Sequence, residues 1–480
     1  VGTGHCPVPT ARDRALPREI SNVKNIFEKL KITFSGSKYW LYAAIFCLPI
    51  ERVFVFNVFG ATVRPTHVFL LIGILIWFYK KIFEVAANKN AKILFEEYRS
   101  RFSKIYTLQR LSIIFFIIMG LGLFFSPDLN RSLFVFVSTV FILSLSIFIP
   151  QFFHKIKEVA TAIKVFLVSS LVTCVFGLYQ FIADMAGLGP NWTFLTEKYT
   201  KSILGFTRVQ GLFIEPLYFA DFLLLPIVFC SLFLLNKVKS ERMKWFLRVT
   251  LVLSLINFVL TSARGAFLAG LAVLILFAVF NYSKISRKIK IAAVSALVLI
   301  SLAGTLIYFI APSGISGQFI YRATHPFQGA AFQERQETFK EAWLIFKEHP
   351  WLGSGPGSFG ILAPLKAWES RQDWKIVNNL YLEILAENGI WGFLAIMSFF
   401  VLLLFYLYKA MKASGDKLRK ILLEGFFWVI IAILIQYNSF SIIYLPFVWI
   451  VVGLAMAEVK IKVEGMPRME LKGERLKRWR

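Results

Sequence analysis

The chain is poor in charge, poorer still in acids, and has almost no cysteine. Only 17% of its 480 residues are charged, against roughly 25% in soluble globular chains. The hydrophobic set reaches 57% and the mean hydropathy is +0.65. Together these values exclude most soluble classes and describe an integral membrane protein. Acids number 28 against 54 Lys plus Arg, a net charge of +26. An excess of this kind points either to nucleic acid or to the positive-inside bias of membrane proteins, and its position along the chain decides between them. Of the four cysteines, Cys47, Cys174 and Cys230 lie in apolar runs, Cys6 is in a polar stretch, and no two form a CxxC pair. A disulfide framework and a zinc site are thereby excluded. Residues 1–38 have no apolar core ahead of a small-residue cleavage site, so they are not a signal peptide and the first spanning helix directs insertion. No internal repeat is present, and no pair of broken helices at matching positions in two halves, which argues against a secondary transporter.

Long apolar runs are what the chain has in quantity. A spanning helix needs about 20 mostly apolar residues, and such runs predict an all-α integral membrane protein of about twelve transmembrane helices. They fall at 39–58, 65–83, 108–126, 131–153, 159–185, 211–235, 244–261, 264–281, 289–311, 380–408, 418–437 and 441–458. The first is the weakest, being interrupted by Pro49, Glu51 and Arg52. The organisation is then a basic tail (1–38), helices 1–9 (39–311), a long loop between helices 9 and 10 (312–379), helices 10–12 (380–458) and a second basic tail (459–480).

With an even number of spans both termini share a side. The tails and alternate loops of that side hold 40 Lys plus Arg against 14 Asp plus Glu, while the rest of the chain holds 14 of each. The whole excess therefore sits on one face, spread over seven segments, which identifies that face as cytoplasmic and speaks against a nucleic-acid partner. Attraction to anionic membrane lipid follows as a by-product. The long loop, and a shorter one at 186–210, are then extracytoplasmic, where long loops usually carry function.

Ionisable groups at membrane depth or at its mouth are candidate functional groups, and three segments hold them. The first is Gly205-Phe206-Thr207-Arg208-Val209-Gln210-Gly211-Leu212-Phe213-Ile214-Glu215-Pro216, entering a span that contains Asp221. Pro216 suits the first turn of a helix, Glu215 is placed at its positive end, and Gly211 allows close backbone approach. Arg208 is either a ligand-binding group or an interfacial arginine snorkelling to water. The second is the turn Thr261-Ser262-Ala263-Arg264-Gly265-Ala266. Arg264, among small residues on a face where positive charge is disfavoured, is either an anion site whose planar fork suits phosphate oxygens or a topological leftover held by a nearby acid.

The third segment is the long loop. Residues Glu334 to His349 place Phe339, Ala342, Trp343 and Phe346 on one helical face, with Arg335, Lys340 and Lys347 on the polar side. Pro350-Trp351-Leu352-Gly353-Ser354-Gly355-Pro356-Gly357-Ser358-Phe359-Gly360 follows, a tight glycine-rich turn that is more often a plain loop than a phosphate cradle. A helix then begins at Asn379, an N-cap residue type, with Glu383 and Glu387 one turn apart. These carboxylates are functional if buried and merely solvated if not.

In this order, the segments resemble the superfamily of O-antigen ligases and polymerases of the bacterial envelope. The resemblance runs from about Gly205 to Gly392 and rests on Arg208, Gly211 and Pro216, on Ser262, Arg264 and Gly265, on His349 to Gly357, and on Asn379-Leu380-Tyr381-Leu382-Glu383 followed by Gly389. It implies a GT-C-like multi-pass protein of the bacterial cytoplasmic membrane with an extracytoplasmic active site. The donor is a glycan on a polyprenyl (undecaprenyl) diphosphate, and the acceptor hydroxyl belongs to a lipid-anchored core, a protein or another glycan. Transfer proceeds with inversion, without metal or other cofactor. By the resemblance, Arg208 and Arg264 hold the diphosphate and Arg335 lies where a further basic residue is often found, while Gly211, Asn379 and Glu383 complete the substrate site. Ligases and polymerases share these motifs and differ in acceptor. A transporter or flippase for lipid-linked glycan is the alternative from another class.

One position departs from the pattern. Many ligases have His before the Asn of the last motif, thought to act as base, whereas this chain has Asn378. An amide takes no proton at neutral pH. Either Glu215, Glu383, His325 or His349 serves instead, or the departing diphosphate accepts the proton, or the acceptor differs, or the chain is inactive. A partly buried carboxylate suits the work of a base, and Glu215 is favoured. His349, next to Pro350, reads as part of a structural turn, and His325 as a loop residue.

Overall fold

The computed structural model describes residues 37–58, 61–87, 103–236, 238, 240–280, 330–363 and 376–461. Among them six helices are long and apolar enough to cross a membrane: Tyr106–Phe125, Leu129–Phe152, Ile156–Met185, Pro216–Leu235, Glu241–Leu260 and Leu380–Ala413. Pro65–Lys80 and Arg264–Phe280 are shorter apolar helices. The helical membrane class expected from composition holds, while the count of twelve goes beyond these six. The expected ninth span (289–311), residues 312–329 of the long loop with His325, and nearly all of both basic tails lie outside the described residues.

In chain order the helices are α1 (Ser37–Phe46), α2 (Pro65–Ala87), α3 (Ser103–Gly122), α4 (Leu129–Leu143), α5 (Leu145–Phe152), α6 (Ile156–Met185) and α7 (Pro216–Leu235). They continue with α8 (Glu241–Leu260), α9 (Arg264–Phe280), α10 (Ala330–Glu348), α11 (Leu380–Ala413), α12 (Lys417–Gln436) and α13 (Pro446–Lys460). Apart from Asp221 in α7 and Glu458 and Lys460 in α13, these two helices are apolar on every face, and a helix of that kind belongs inside a bundle. Every residue of α13 from Phe447 to Ala457 is buried. Trp449 at its centre meets Phe399 and Phe400 of α11, with ring centroids 5.8 and 5.9 Å away.

The first expected span is corrected by the structure. Instead of one helix over 39–58, α1 ends at Phe46, and β1 (Phe56–Val58) pairs antiparallel with β2 (Ala61–Val63). Pro49 lacks the N–H needed to continue a helix. Buried Glu51 then spends its groups outside any helix. Its N–H donates to Leu212 O (3.1 Å), its carboxylate accepts from Ile214 N (3.3 Å), and Arg64 Nη1 pairs with it at 3.5 Å.

Polar contacts sort the helix ends into two sets. At one end Lys38 pairs with Glu158, Arg419 with Glu458 (3.5 Å), and Lys460 Nζ donates to Pro150 O (2.9 Å). At the other end the turns after α8, α12 and α3 meet the starts of α2, α4, α7, α9, α11 and α13. All three motif segments lie at this second end, and the basic loops with described residues lie at the first.

Candidate functional site

The segment ahead of α7 is clamped by the last turns of α6. Gln180 Nε2 donates to Gly211 O (2.9 Å) and Thr193 O (3.1 Å), while Asp184 accepts from Thr207 Oγ1 (2.5 Å) and Lys201 N (2.8 Å). Gly211 has φ +56°, and a Cβ there would lie 2.9 Å from Thr173 Cγ2. Only glycine combines that backbone with that approach. Held in this way, Arg208 faces the turn after α8. Its Nε donates to Thr261 O (3.0 Å) and its Nη2 to Ser262 O (3.4 Å), and Val209 N reaches Leu260 O (3.2 Å). The first two segments singled out in the sequence are therefore hydrogen-bonded to each other. Tyr199, which sequence reasoning missed, lies under the guanidinium with its ring centroid 5.5 Å from Arg208 Cζ. Burial raises its phenol pKa above the ordinary value, and nearby Glu215 adds to the rise.

Two residues beyond Ser262, Arg264 opens α9 and is exposed. Arg335 of α10 lies within its field. The Arg335 guanidinium pKa is held below its usual value, first by burial and then by the like charge of Arg264. Arg208 and Arg264 thus meet at one turn, and Arg335 comes near enough for its charge to feel that of Arg264. Like charges brought together are unfavourable unless an anion joins them. Glu215 is the N-cap residue of α7, with extended φ/ψ and Pro216 next to it. Its carboxylate lies 3.8 Å from Lys198 Nζ.

The turn linking α12 to α13, which sequence reasoning also missed, ties the third segment to the second. Leu380 N donates to Tyr437 O (2.9 Å), Asn379 Nδ2 to Asn438 O (3.5 Å), and Asn378 N to Ser441 Oγ (3.2 Å). On its other side Ser439 packs against Gly265, where a Cβ would fall 2.1 Å from Ser439 Oγ. No periodic or charged pattern marks residues 436–441, which is why they escaped notice. Asn379 is the N-cap of α11, its Oδ1 accepting from Leu382 N (3.1 Å). Asn378 has φ +59°, a conformation in which Asn and His are both enriched. Glu383 is half-buried and accepts from Val377 N (3.1 Å).

The glycine-rich turn has a different task from cradling phosphate. Helix α11 breaks at Gly389 (φ +64°, ψ −170°), which frees backbone groups that the turn then satisfies. Ser354 N reaches Ala386 O (3.0 Å), Gly355 N reaches Glu387 O (3.0 Å), and Ile390 N reaches Pro350 O (2.8 Å). The turn and the helix approach so closely that a Cβ on Gly353 would lie 2.2 Å from Glu387 C, and one on Gly389 2.3 Å from Trp351 O. The carboxylate of Glu387, buried, accepts from Gly357 N (2.8 Å) and Phe359 N (3.1 Å). An acid of the chain itself thus takes the N–H groups a phosphate would need. His349 is exposed and its carbonyl accepts from Gly353 N (3.1 Å), in keeping with a structural turn.

The face that α10 buries is also corrected. Thr338, Ala342 and Ile345 point inward against Phe359, Ala363, Val377 and Ala386, and Thr338 Oγ1 donates to Val377 O (3.1 Å). Phe339 packs at the edge of this group, while Trp343 is 45% exposed and leans on Phe346, 5.2 Å between centroids. A threonine whose hydroxyl finds a carbonyl can be buried, and that moves the inward stripe away from Trp343.

Comparison with known proteins agrees with the motifs. The chain is 23% identical over 328 residues to the teichuronic acid biosynthesis protein TuaE of Bacillus subtilis (strain 168), covering 65% of this chain and 63% of the relative, a little under two thirds of its length. Residues 249–397 match the family model described as O-antigen ligase. That stretch includes Arg264, Arg335, Asn378, Asn379 and Glu383, and stops short of Arg208, Gly211 and Glu215. The helical membrane chain whose Arg208 is hydrogen-bonded to the turn after α8 is thus similar, over residues 249–397, to the O-antigen ligase family.

Proposed function

We propose that the protein is a glycosyltransferase of cell-surface polysaccharide biosynthesis, which moves a glycan from a polyprenyl diphosphate to an acceptor hydroxyl at the outer face of the bacterial cytoplasmic membrane. The observation that carries this reading is the hydrogen bonding of Arg208 to the turn that leads into Arg264. Guanidinium groups held in place before the reaction suit a diphosphate and stabilise the charge that grows on it as it leaves. The segregation of the described basic loops to the opposite end supports a cytoplasmic placement of that end.

In the reaction the acceptor oxygen attacks the anomeric carbon, the bond from that carbon to the phosphate oxygen breaks, and the polyprenyl diphosphate departs. One displacement inverts the anomeric centre and needs no metal. Glu215, beside Lys198 and the Arg208–Tyr199 pair, takes the hydroxyl proton. Gly211 lets the Arg208 segment lie close to α6, and Asn379 and Glu383 border the acceptor side with Asn378 in the place of the family histidine. A polymerase would use the same site with a second lipid-linked repeat as acceptor, and the similarity to a teichuronic acid biosynthesis protein supports a surface polysaccharide as product.

The test is incubation of purified protein with a polyprenyl-diphosphate glycan and candidate acceptors. Wild type should release polyprenyl diphosphate, and Arg208→Ala and Arg264→Ala should abolish release while melting as wild type does. Normal release in both variants refutes the reading, and a transporter would release none.

A further inference from the structure

The loop between α6 and α7 closes on itself just ahead of the Arg208 turn. Thr196 N donates to Gln210 Oε1 (3.1 Å), and inside that pair Arg208 N donates to Tyr199 O (2.9 Å). The stretch enclosed by Tyr199 and Arg208 is pinned to α6, where Asp184 accepts from Lys201 N (2.8 Å) and Thr207 Oγ1 (2.5 Å). Backbone groups and Asp184 therefore fix where Tyr199 stands, and its side chain takes no part in these bonds. That side chain is buried all the same.

Two cations lie over its ring. The centroid is 5.5 Å from Arg208 Cζ and 5.1 Å from Lys198 Nζ. The Lys198 charge also meets a carboxylate, that of Glu215 at 3.8 Å. The Arg208 guanidinium meets neutral carbonyls, with Nε on Thr261 O (3.0 Å) and Nη2 on Ser262 O (3.4 Å). Bonds to one short turn hold one edge of the planar group and leave it room to tilt about that edge. A ring face beneath the plane removes this freedom, because a guanidinium within about 6 Å of the centroid is drawn to the π face, and more strongly where water is excluded.

We infer that Tyr199 is a positioning residue of the transfer site, whose ring face, and not its hydroxyl, sets the tilt of the Arg208 guanidinium toward the diphosphate. The inference rests on the reading of Arg208 as a ligand of that diphosphate. The ring itself touches no reacting atom and acts through Arg208. A guanidinium that is already oriented loses less freedom when the anion arrives, and its planar fork meets two phosphate oxygens only at the right tilt.

The experiment measures undecaprenyl diphosphate binding to the full chain in detergent, beside a thermal melt. Tyr199→Leu removes the ring and should weaken binding about tenfold, the scale of a cation–π contact at a desolvated site, with a melt close to that of wild type. Tyr199→Phe keeps the ring and should recover most of that loss. In an Arg208→Ala chain, Tyr199→Leu should weaken binding no further, since the two residues act as one unit. Binding indifferent to Tyr199→Leu overturns the inference, and so does a phenylalanine variant as weak as the leucine one. An undiminished loss in the Arg208→Ala chain overturns it too, because the ring would then act through another group such as Lys198. If Tyr199→Leu does not fold, Tyr199→Met takes its place. Arg208→Ala alone tests the underlying reading: binding unmoved by it sinks that reading, whereas binding weakened by it and unmoved by Tyr199→Leu sinks only the role of Tyr199.

Discussion

Arg208 donates from Nε to the carbonyl of Thr261 at 3.0 Å, joining residues 53 positions apart at the end of the bundle. The bond does more than hold two loops together, because it orients a planar guanidinium over the turn that leads to Arg264. Lysine has the charge without the fork. We expect Arg208→Lys to lower kcat/KM by about 100-fold or more, the scale of losing a positioned donor to a developing anion, with the melting temperature nearly unchanged. Release of polyprenyl diphosphate and a thermal melt together measure this, and a lysine variant of normal activity would show that charge alone is enough.

Gly265→Ala should disturb the same turn from its other side. The added Cβ would fall 2.1 Å from Ser439 Oγ and 2.5 Å from Ser439 Cβ, so rotation of the hydroxyl alone does not relieve it. The expected cost is about 1–3 kcal/mol, typical of an overpacked site, with loss of activity. Ser439→Gly in the same chain removes both atoms and should restore the melt. A double variant no better than the single one would mean that the strain lies elsewhere.

Glu387→Ala leaves two buried N–H groups, those of Gly357 and Phe359, without their acceptor. Each such group costs about 1–3 kcal/mol, and the variant should fail to accumulate in the membrane. Glu387→Gln keeps one acceptor oxygen and should lie between. If the glycine-rich turn instead bound substrate phosphate, Glu387→Ala would expose the donors and tighten undecaprenyl diphosphate binding.

Asn378→His should fold, since both residues tolerate the left-handed backbone found there, and activity should survive or rise. Asn378→Val should cost about 1–3 kcal/mol, because a β-branched residue is strained at φ +59°. Complete loss of activity in a well-folded Asn378→His protein would mean that the amide has a task of its own.

At the opposite end of the bundle the buried pair Arg419–Glu458 offers a control. Glu458→Ala leaves a buried guanidinium uncompensated, a loss of about 3–5 kcal/mol, whereas Arg419→Met with Glu458→Met should lose much less. Neither should change the KM for acceptor. A specific effect on KM would tie this end to the site.

Much of this was legible without coordinates. Arg208, Arg264 and Arg335 stand out as cations on the face where cations are rare, and Asn379 and Glu215 were placed as helix-start residues by their types alone. The residues that escaped were those with no pattern of their own. Ser439 and Ser441 matter through what packs on them, and Tyr199 through what lies above it.

Composition and the run of apolar segments were enough for the helical membrane class, because a bilayer admits few other solutions for a backbone that must satisfy its own hydrogen bonds. The order of the motifs was enough for the family resemblance. Periodicity, however, says which residues could share a face without saying what that face meets. The inward turn of Thr338 and the use of Glu387 as the anion of the glycine-rich turn were decided by partners 28 to 39 positions away. Those partners are brought within hydrogen-bond reach only by the packing of whole helices.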